Sequence, residues 1–470
     1  MALSLILLAC ARFPAEPVSS EGAACPDDRP QESLPLPRTV LMITTDTVNR
    51  DFLGHRHPEW DTTPTLDAIA SEGVRFDNVI VPRGLSGPSI ATMATGAYPR
   101  THSLRDNTAP DTSDYTIAPY PPDVPTLFSR AKEVGYATWG IWANMCFVMG
   151  DVDHRYCTWS HEMADVTQEI GDALLVEDFV AQLSTLPSDA PLFAWVHFMD
   201  PHDPYKRRDP WYEQFHPEPY DGPYVEPNEE VLATIADGAE YNDEDRRHVE
   251  AVYASQLRAT DELAKGLVDA LAAAGRWDDA VVFVGFDHGD ELARRSTYFY
   301  HGCSPYNGAI ASSFTLRAPG SIAGGEVLRG WVPSTDVVAT LADVVGLGWD
   351  GPQEGLSLME EVRACEEPVR AAFFERGNKT AGVVYGHHKY VSDPDAGYAA
   401  CKHYDAVNPY PGEPEELYDL EADPVELTNI VESERELADE LRDRVCRWVT
   451  EKPWVGQGDE GNPLVRGCAE

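Results

Sequence analysis

Three runs of β-prone residues in this chain each end in a cluster of acids and histidines, and this pattern narrows the possible folds more than any other. Arg38 to Thr45 leads to Asp46, Leu192 to Met199 leads to Asp200-Pro201-His202, and Ala280 to Phe286 leads to Asp287-His288. Continuous apolar and β-branched runs without polar alternation are what strands buried on both faces look like. Val74 to Val81 and Ala137 to Ala143 read as further strands. Helical stretches lie between them. Thr63-Pro64 opens one with a capping residue and a first-turn proline, and Gly73 stops it. Others cover Leu127 to Val134, Thr167 to Leu186, Asp243 to Gly275 and Ser334 to Val345. Strands alternating with helices predict an α/β fold, a mostly parallel sheet flanked by helices. In such sheets ligands bind beyond the carboxyl ends of the strands, so the three clusters share one crevice if their strands are neighbours. Asp and His together are ordinary ligands for a divalent metal.

The segment Gly84 to Gly96 reads as a tight turn feeding a short helix, with Pro88 at the first helical position and Gly96 as the C-terminal cap. Ser86 then falls just outside a helix N-terminus, where free N–H groups and the helix dipole favour negative charge. Ser86 is either a plain capping serine or a hydroxyl placed to attack or hold an anionic ester. The acid and histidine clusters elsewhere favour the second reading.

The formal net charge of -43 argues against nucleic acid as a partner, since a phosphate-binding face needs clustered Lys and Arg. An anionic substrate would need a local cation or metal. Met1 to Ala9 is almost wholly apolar but too short to span a bilayer. Leu7-Leu8-Ala9-Cys10 resembles a bacterial lipoprotein cleavage box, which would make Cys10 a lipid anchor, the protein's membrane contact, and place the protein in the cell envelope or periplasm. Residues 12 to 37 are rich in Pro, Glu and Ser and read as a disordered tether. Of the nine cysteines, setting Cys10 aside leaves an even number, as expected of disulfides in an exported protein. The local candidates are Cys146 with Cys157, Cys365 with Cys401, and Cys446 with Cys468. From about residue 365 the strand-like runs Arg370 to Phe374, Gly382 to Tyr385 and His388 to Val391 are short. They precede a helix from Glu434 to Thr450, with Ser433 as N-cap and Glu436 completing a capping box. The expected organisation is a signal and tether over 1–37, a catalytic α/β domain over 38–364 and a smaller α+β subdomain over 365–470.

Taken together, these motifs resemble the sulfatase family of the alkaline phosphatase superfamily. Thr44-Thr45-Asp46-Thr47 with Asp51-Phe52-Leu53-Gly54 resembles the family's opening strand and metal aspartate. Thr63-Pro64-Thr65-Leu66-Asp67 and Glu72-Gly73-Val74-Arg75-Phe76 resemble its first helix and next strand. Thr95-Gly96-Ala97-Tyr98-Pro99 with His102 resembles the segment after the nucleophile. Asp200-Pro201-His202-Asp203-Pro204-Tyr205 is similar to the mid-chain histidine motif, and Asp287-His288-Gly289-Asp290 with His301-Gly302 to the second metal motif. Glu416-Leu417-Tyr418-Asp419-Leu420-Glu421-Ala422-Asp423-Pro424 resembles the C-terminal signature. The resemblance implies an alkaline phosphatase-like fold and a hydrolase of sulfuric or phosphoric esters. It implies one divalent ion, Ca2+, Mn2+ or Zn2+, on Asp46, Ser86, Asp287 and His288. Ser86 would be the nucleophile, and His202 and His301 would contact the ester anion or protonate the leaving oxygen.

Three positions depart from the family pattern. Ile90 replaces the arginine of the Cys- or Ser-x-Pro-Ser-Arg motif in which the first residue is oxidised to formylglycine. Thr47 stands where many relatives carry a second metal aspartate. Gly140-Ile141-Trp142-Ala143-Asn144 replaces a Gly-Lys-Trp-His segment. The expectation is an unmodified Ser86. Relatives with a plain serine or threonine on phosphorus, such as lipoteichoic acid synthases, keep phosphoryl transfer to a lipid or glycan open, and a non-catalytic binding role is the remaining alternative. The aromatic loop with Trp211, Tyr212, Phe215, Tyr220 and Tyr224 either walls the substrate pocket or is a surface excursion.

Overall fold

A computed structural model of the chain describes residues 36–107, 124–146, 150–158, 168–236, 239–295, 299–302, 304–348, 354–376, 379–395, 402–403, 406–407, 413–452 and 463–468. The N-terminal segment with Cys10 and the tether lies outside these residues, as do Cys25, Cys303 and Cys401.

The strands of the large sheet are β1 (Thr39–Thr45), β2 (Val74–Ile80), β3 (Ala137–Trp142), β4 (His154–Cys157), β5 (Leu192–Phe198), β6 (Val281–Phe286), β7 (Ala311–Arg317), β8 (Glu326–Leu328) and β9 (Val332–Pro333). They run in the order β4-β3-β5-β1-β6-β7-β2-β8, with β9 beside β2. Neighbours are parallel except that β7 runs against both β6 and β2. Every side chain of β1, β5 and β6 is buried, as their unbroken apolar pattern requires. These three strands are adjacent and in register: Thr45 pairs with Phe198 on one side and Phe286 on the other. The three polar clusters therefore emerge from one edge of the sheet, at its centre.

Strand β7 was not anticipated. Its sequence carries Ser312, Ser313, Thr315 and Arg317, all buried, so it shows no apolar run. Two of them have local partners: Ser312 Oγ donates to Phe286 O at 3.1 Å. The Arg317 guanidinium reaches Ala280 O at 2.8 Å, Trp277 O at 3.0 Å and Glu72 at 2.7 Å. Buried polar groups with partners cost little, so the strand folds without the hydrophobic signature.

The helices flank the sheet and include Pro64–Ser71, Leu127–Glu133, Gln168–Thr185, Asp243–Ala273 and Ser334–Val345. Asn242 caps the long helix in a reciprocal box with Asp245. Three helix starts differ from expectation. Thr63 holds the N-cap position of Pro64–Ser71, but its side chain makes no cap hydrogen bond and its Oγ1 accepts from Gly54 N at 2.8 Å instead. The helix after the Gly84 turn spans Ser86–Thr95 with Leu85 as N-cap, so Ser86 is its first residue and Pro88 its third. A proline costs nothing there, because the first-turn amides have no partner inside the helix. The C-terminal helix spans Arg435–Glu451 and has no side-chain cap, because Ser433 Oγ instead donates to Ile430 O in the preceding turn at 3.0 Å.

A second sheet contains β10 (Ala371–Arg376), β11 (Thr380–Tyr385) and β12 (His388–Ser392). Lys402–His403 and Ala406–Val407 pair separately as β13 and β14, and β15 (Glu415–Asp419) completes the second sheet. Its order is β10-β11-β12-β15, all antiparallel. β15 carries the C-terminal signature. The Arg435–Glu451 helix covers this sheet with Ala438, Leu441, Val445, Trp448 and Val449, and Tyr98 from the larger unit joins the same core.

Next to Tyr98, Arg100 is fully enclosed and pairs with Glu375 at 2.7 Å. It also lies over the Trp448 ring at 4.9 Å and donates to Lys452 O at 3.1 Å. Removing one member of a buried pair leaves a charge without compensation. Arg100→Leu should therefore cost about 3–5 kcal/mol, read as a shift in urea midpoint at unchanged slope. A change under about 1 kcal/mol would mean that water reaches Glu375.

Cys146 is bonded to Cys157 and Cys446 to Cys468. Cys365 is bonded as well, to a cysteine outside the described residues. Among the described residues, no helix is long and apolar enough to cross a membrane.

Candidate active site

The floor of the site is set by the register of the three central strands. Asp46 N donates to Phe198 O at 2.9 Å, which fixes the first residue beyond β1 against the end of β5. Thr47 then turns into the left-handed region, φ 60, and its N–H donates to Asp287 Oδ1 at 3.0 Å. His288 N donates to the same oxygen at 2.7 Å. Tyr253 of the long helix holds the turn from beneath, donating to Thr47 O at 2.8 Å and accepting from Asn49 N at 2.7 Å. Only glycine fits at position 289: a Cβ there would stand 2.3 Å from Gly308 O.

Ser86 enters from the start of its helix and is almost fully buried. Its Oγ lies 3.3 Å from Asp46 Oδ2 and 3.2 Å from His288 Nε2. His288 Nε2 is in turn 3.6 Å from an oxygen of Asp46 and of Asp287. The four residues expected to hold a metal are thus in mutual reach. Two more groups touch Asp46. Asn144, just past β3, donates from Nδ2 to Asp46 Oδ2 at 3.0 Å. Thr47 Oγ1 donates to Asp46 Oδ1 at 2.5 Å.

His202 and His301 complete the group. Their rings are 5.0 Å apart, and the His301 ring is 4.5 Å from that of His288. His301 Nδ1 lies 2.6 Å from Asp290 Oδ1, and Tyr205 donates to the other Asp290 oxygen at 2.6 Å. His202 Nδ1 bonds Asp203 O at 2.7 Å. Asp200, the other acid of that motif, faces away. It pairs with Arg208 at 2.7 Å and accepts from Gln256 at 3.1 Å. Asp172 accepts from the Met199 and Asp200 amides at 2.8 and 2.9 Å, so these acids shape the turn that presents His202.

The electrostatics describe a site built for a cation. Burial drives the Asp46 carboxyl upward, but His197, His202 and His288 outweigh it and hold the group well below its usual range. Burial and the neighbouring Asp46 charge push Asp287 well above its usual range. One carboxylate thus keeps its charge only at the other's expense. Asp287 Oδ2 is buried with no hydrogen-bond partner. An ion-sized donor set is present: ligand atoms of Asp46, Asp287 and His197 lie within 4.8 Å of one another. A divalent cation would ionise both acids and occupy the orphaned oxygen, so these residues fit one. Burial lowers His288 and holds His301 well below the ordinary histidine range, leaving neutral imidazoles. Asp203 and Asp46 overcome burial at His202 and raise it to about 9.

All six residues singled out in the sequence, Asp46, Ser86, His202, Asp287, His288 and His301, meet in this one place. Two neighbours were missed. Asn144 was visible only as part of an unusual segment after β3. His197 lies inside the apolar run of β5, where a single histidine in a buried strand was the available signal. The aromatic loop is not a loose excursion. Tyr212 bonds His248 at 2.7 Å, and Tyr220 donates to Asp245 at 2.6 Å while stacking on His248 at 3.8 Å. The loop is pinned to the long helix by its own rings.

Comparison with known proteins agrees with this architecture. A family model described as Sulfatase matches residues 38–347. The choline-sulfatase of Rhizobium meliloti is 26% identical over 454 residues, covering 84% of this chain and 83% of that protein. The solved structure of a 2-O GAG sulfatase superposes with a TM-score of 0.66 at 21% identity, covering 89% of this chain and 93% of that one. The phosphonate monoester hydrolase of Agrobacterium radiobacter gives 0.68 at 19% identity, covering 88% and 96%.

Proposed function

Since the chain belongs to the sulfatase family of hydrolases, we propose that it cleaves sulfuric or phosphoric esters with Ser86, unmodified, as the nucleophile beside one divalent ion. The observation that carries this reading is the placement of Ser86 Oγ, 3.2–3.3 Å from both His288 Nε2 and Asp46 Oδ2, at the first position of a buried helix. Asp46, Asp287, His288 and Ser86 would hold the ion, which when bound would neutralise charge on the ester and favour the serine alkoxide. The helix dipole favours negative charge at this end, although Gly87 N is taken by Asn107 Oδ1 at 2.7 Å, Pro88 has no N–H and Ser89 N bonds Leu85 O. His202 and His301 face the leaving oxygen, and His202, the imidazole that keeps its proton near neutral pH, supplies the proton.

The substrate is an anionic ester carried by a glycan, a lipid or a small molecule. The choline-sulfatase and glycosaminoglycan sulfatase names among the relatives support sulfate esters. Ile90 favours a second reading, cleavage or transfer at phosphorus, because a plain serine ester of phosphate is released more readily than one of sulfate. Peptide mass mapping of the segment containing Ser86 tests the nucleophile. Unmodified serine or phosphoserine is expected, and an aldehyde at this position would overturn the serine mechanism.

We also propose that Cys10 is lipidated and tethers the enzyme in the bacterial cell envelope. A Cys10→Ser protein should leave the membrane fraction. Its retention there would exclude the anchor.

A further inference from the structure

His197 lies in the middle of the molecule, fully enclosed, on the strand β5 that flanks Asp46. Its Nδ1 is 2.9 Å from Thr44 Oγ1, and Thr44 is itself held by Trp195 Nε1 at 2.7 Å. Its Nε2 has no hydrogen-bond partner. The nearest carboxylate atom, Asp46 Oδ2, is 3.8 Å away, beyond hydrogen-bond range. A buried nitrogen left unpaired costs about 1–3 kcal/mol. The ring lies close enough to Asp46 to favour its charge, but at 3.8 Å it makes no hydrogen bond with that carboxylate. In the tautomer whose Nδ1 hydrogen is donated to Thr44 Oγ1, the ring turns a lone pair toward Asp46 and Asp287. The second orphan of the site, Asp287 Oδ2, belongs to the same trio, whose ligand atoms lie within 4.8 Å of one another.

We propose that His197 is a direct ligand of the divalent ion, together with Asp46 and Asp287, and that the site consequently takes a borderline transition ion of the zinc class in preference to calcium. The proposal rests on the metal-dependent reading above and adds a ligand to it. The physical basis is donor chemistry: imidazole suits zinc and its neighbours, whereas calcium wants six to eight oxygens. Metal-bound histidines are oriented by a hydrogen bond at their other ring nitrogen, the part Thr44 plays here. Thr44 and Trp195 are then positioning residues for the ligand.

The test uses the full chain stripped with a chelator and reloaded with Zn2+ or Ca2+. Affinity is read by competition with a chromophoric chelator, and coordination by zinc K-edge X-ray absorption. Wild type should prefer Zn2+ over Ca2+. His197→Ala should weaken Zn2+ binding at least about tenfold, change Ca2+ binding little, and lose one imidazole nitrogen from the zinc shell. Thr44→Val, which keeps the ring but removes its partner, should weaken Zn2+ binding by a smaller factor. If His197→Ala does not fold, a His288→Asn protein decides: an imidazole remaining on its zinc supports the proposal, and none overturns it. A His197→Ala protein that folds and binds Zn2+ with wild-type affinity and nitrogen count overturns it, as does a wild type with no preference for Zn2+. Ester cleavage is scored separately. A wild type that cleaves esters while His197→Ala keeps its zinc nitrogen refutes the ligand alone. A wild type that binds zinc through His197 but cleaves neither ester refutes the hydrolase reading alone.

Discussion

Ser86→Ala should lower kcat by at least about a thousandfold while KM and metal content stay near wild type. The expectation follows from what the hydroxyl touches. Ser86 Oγ is 3.3 Å from Asp46 and 3.2 Å from His288, at the start of a helix whose dipole favours negative charge. Alanine removes the attacking atom and leaves Asp46, Asp287 and His288 to hold the ion and, through it, the ester. Binding is therefore preserved and turnover is not. An aryl sulfate and an aryl phosphate diester, assayed over several divalent metals, measure the effect and name the better ester. Loss of less than about tenfold on both would show that Ser86 is not the nucleophile. Ser86→Cys should not rescue activity through formylglycine, because Ile90 still stands where the accompanying arginine would be.

Asp287→Ala should reduce bound metal to background. Asp287 Oδ1 is already committed to the Thr47 and His288 amides, and Oδ2 is the orphaned atom facing the ion site. Elemental analysis against wild type measures this directly; equal metal in both proteins would remove Asp287 from the site. The stability consequence has a definite sign. In the metal-free protein, burial and the Asp46 charge hold Asp287 well above its unfolded value. A carboxyl raised in this way binds more protons folded than unfolded, so its contribution to stability is lost as pH rises from the unfolded pKa through the folded one. Metal-free Asp287→Asn, which keeps an acceptor for both amides, should accordingly melt no lower than metal-free wild type at neutral pH. Adding metal at a hundredfold excess over Kd should raise wild type by about 2.7 kcal/mol and leave the variant where it was. Calorimetry with and without chelator separates the two.

Most of the large sheet was legible because its central strands are apolar from end to end and because proline, threonine and glycine mark the helix boundaries. Asp46, Asp287 and His288 were legible just past strand ends and Ser86 at a helix start, where a polar residue is conspicuous, whereas His202 and His301, on connecting segments, were legible through the motifs around them. What was hidden has a common cause. β7 hides behind Ser312, Ser313, Thr315 and Arg317, of which Ser312 and Arg317 find backbone partners in the fold. His197 is concealed by the apolar residues around it. Asn144 acquires meaning only once β3 and β1 are known to lie on either side of β5. The Ser433 cap failed because a hydroxyl one residue too early found a carbonyl in the turn before it. Pairing across the sheet is long-range information, and a single sequence read locally does not contain it.

The site divides its labour between two kinds of backbone. Asp46 and Asp287 sit one step beyond strands locked in register, so their spacing belongs to the sheet and cannot drift without unpairing β1 from its neighbours. Asn144, His202 and His301 stand on connecting segments, which tolerate change. The two acids are therefore fixed by the sheet, whereas His202 and His301, proposed above to meet the leaving portion of the ester, ride on segments that can change. On the proposed reading, a change of ester would call for rewriting loops at little cost to stability, while the spacing of the two acids stays where the strands put it.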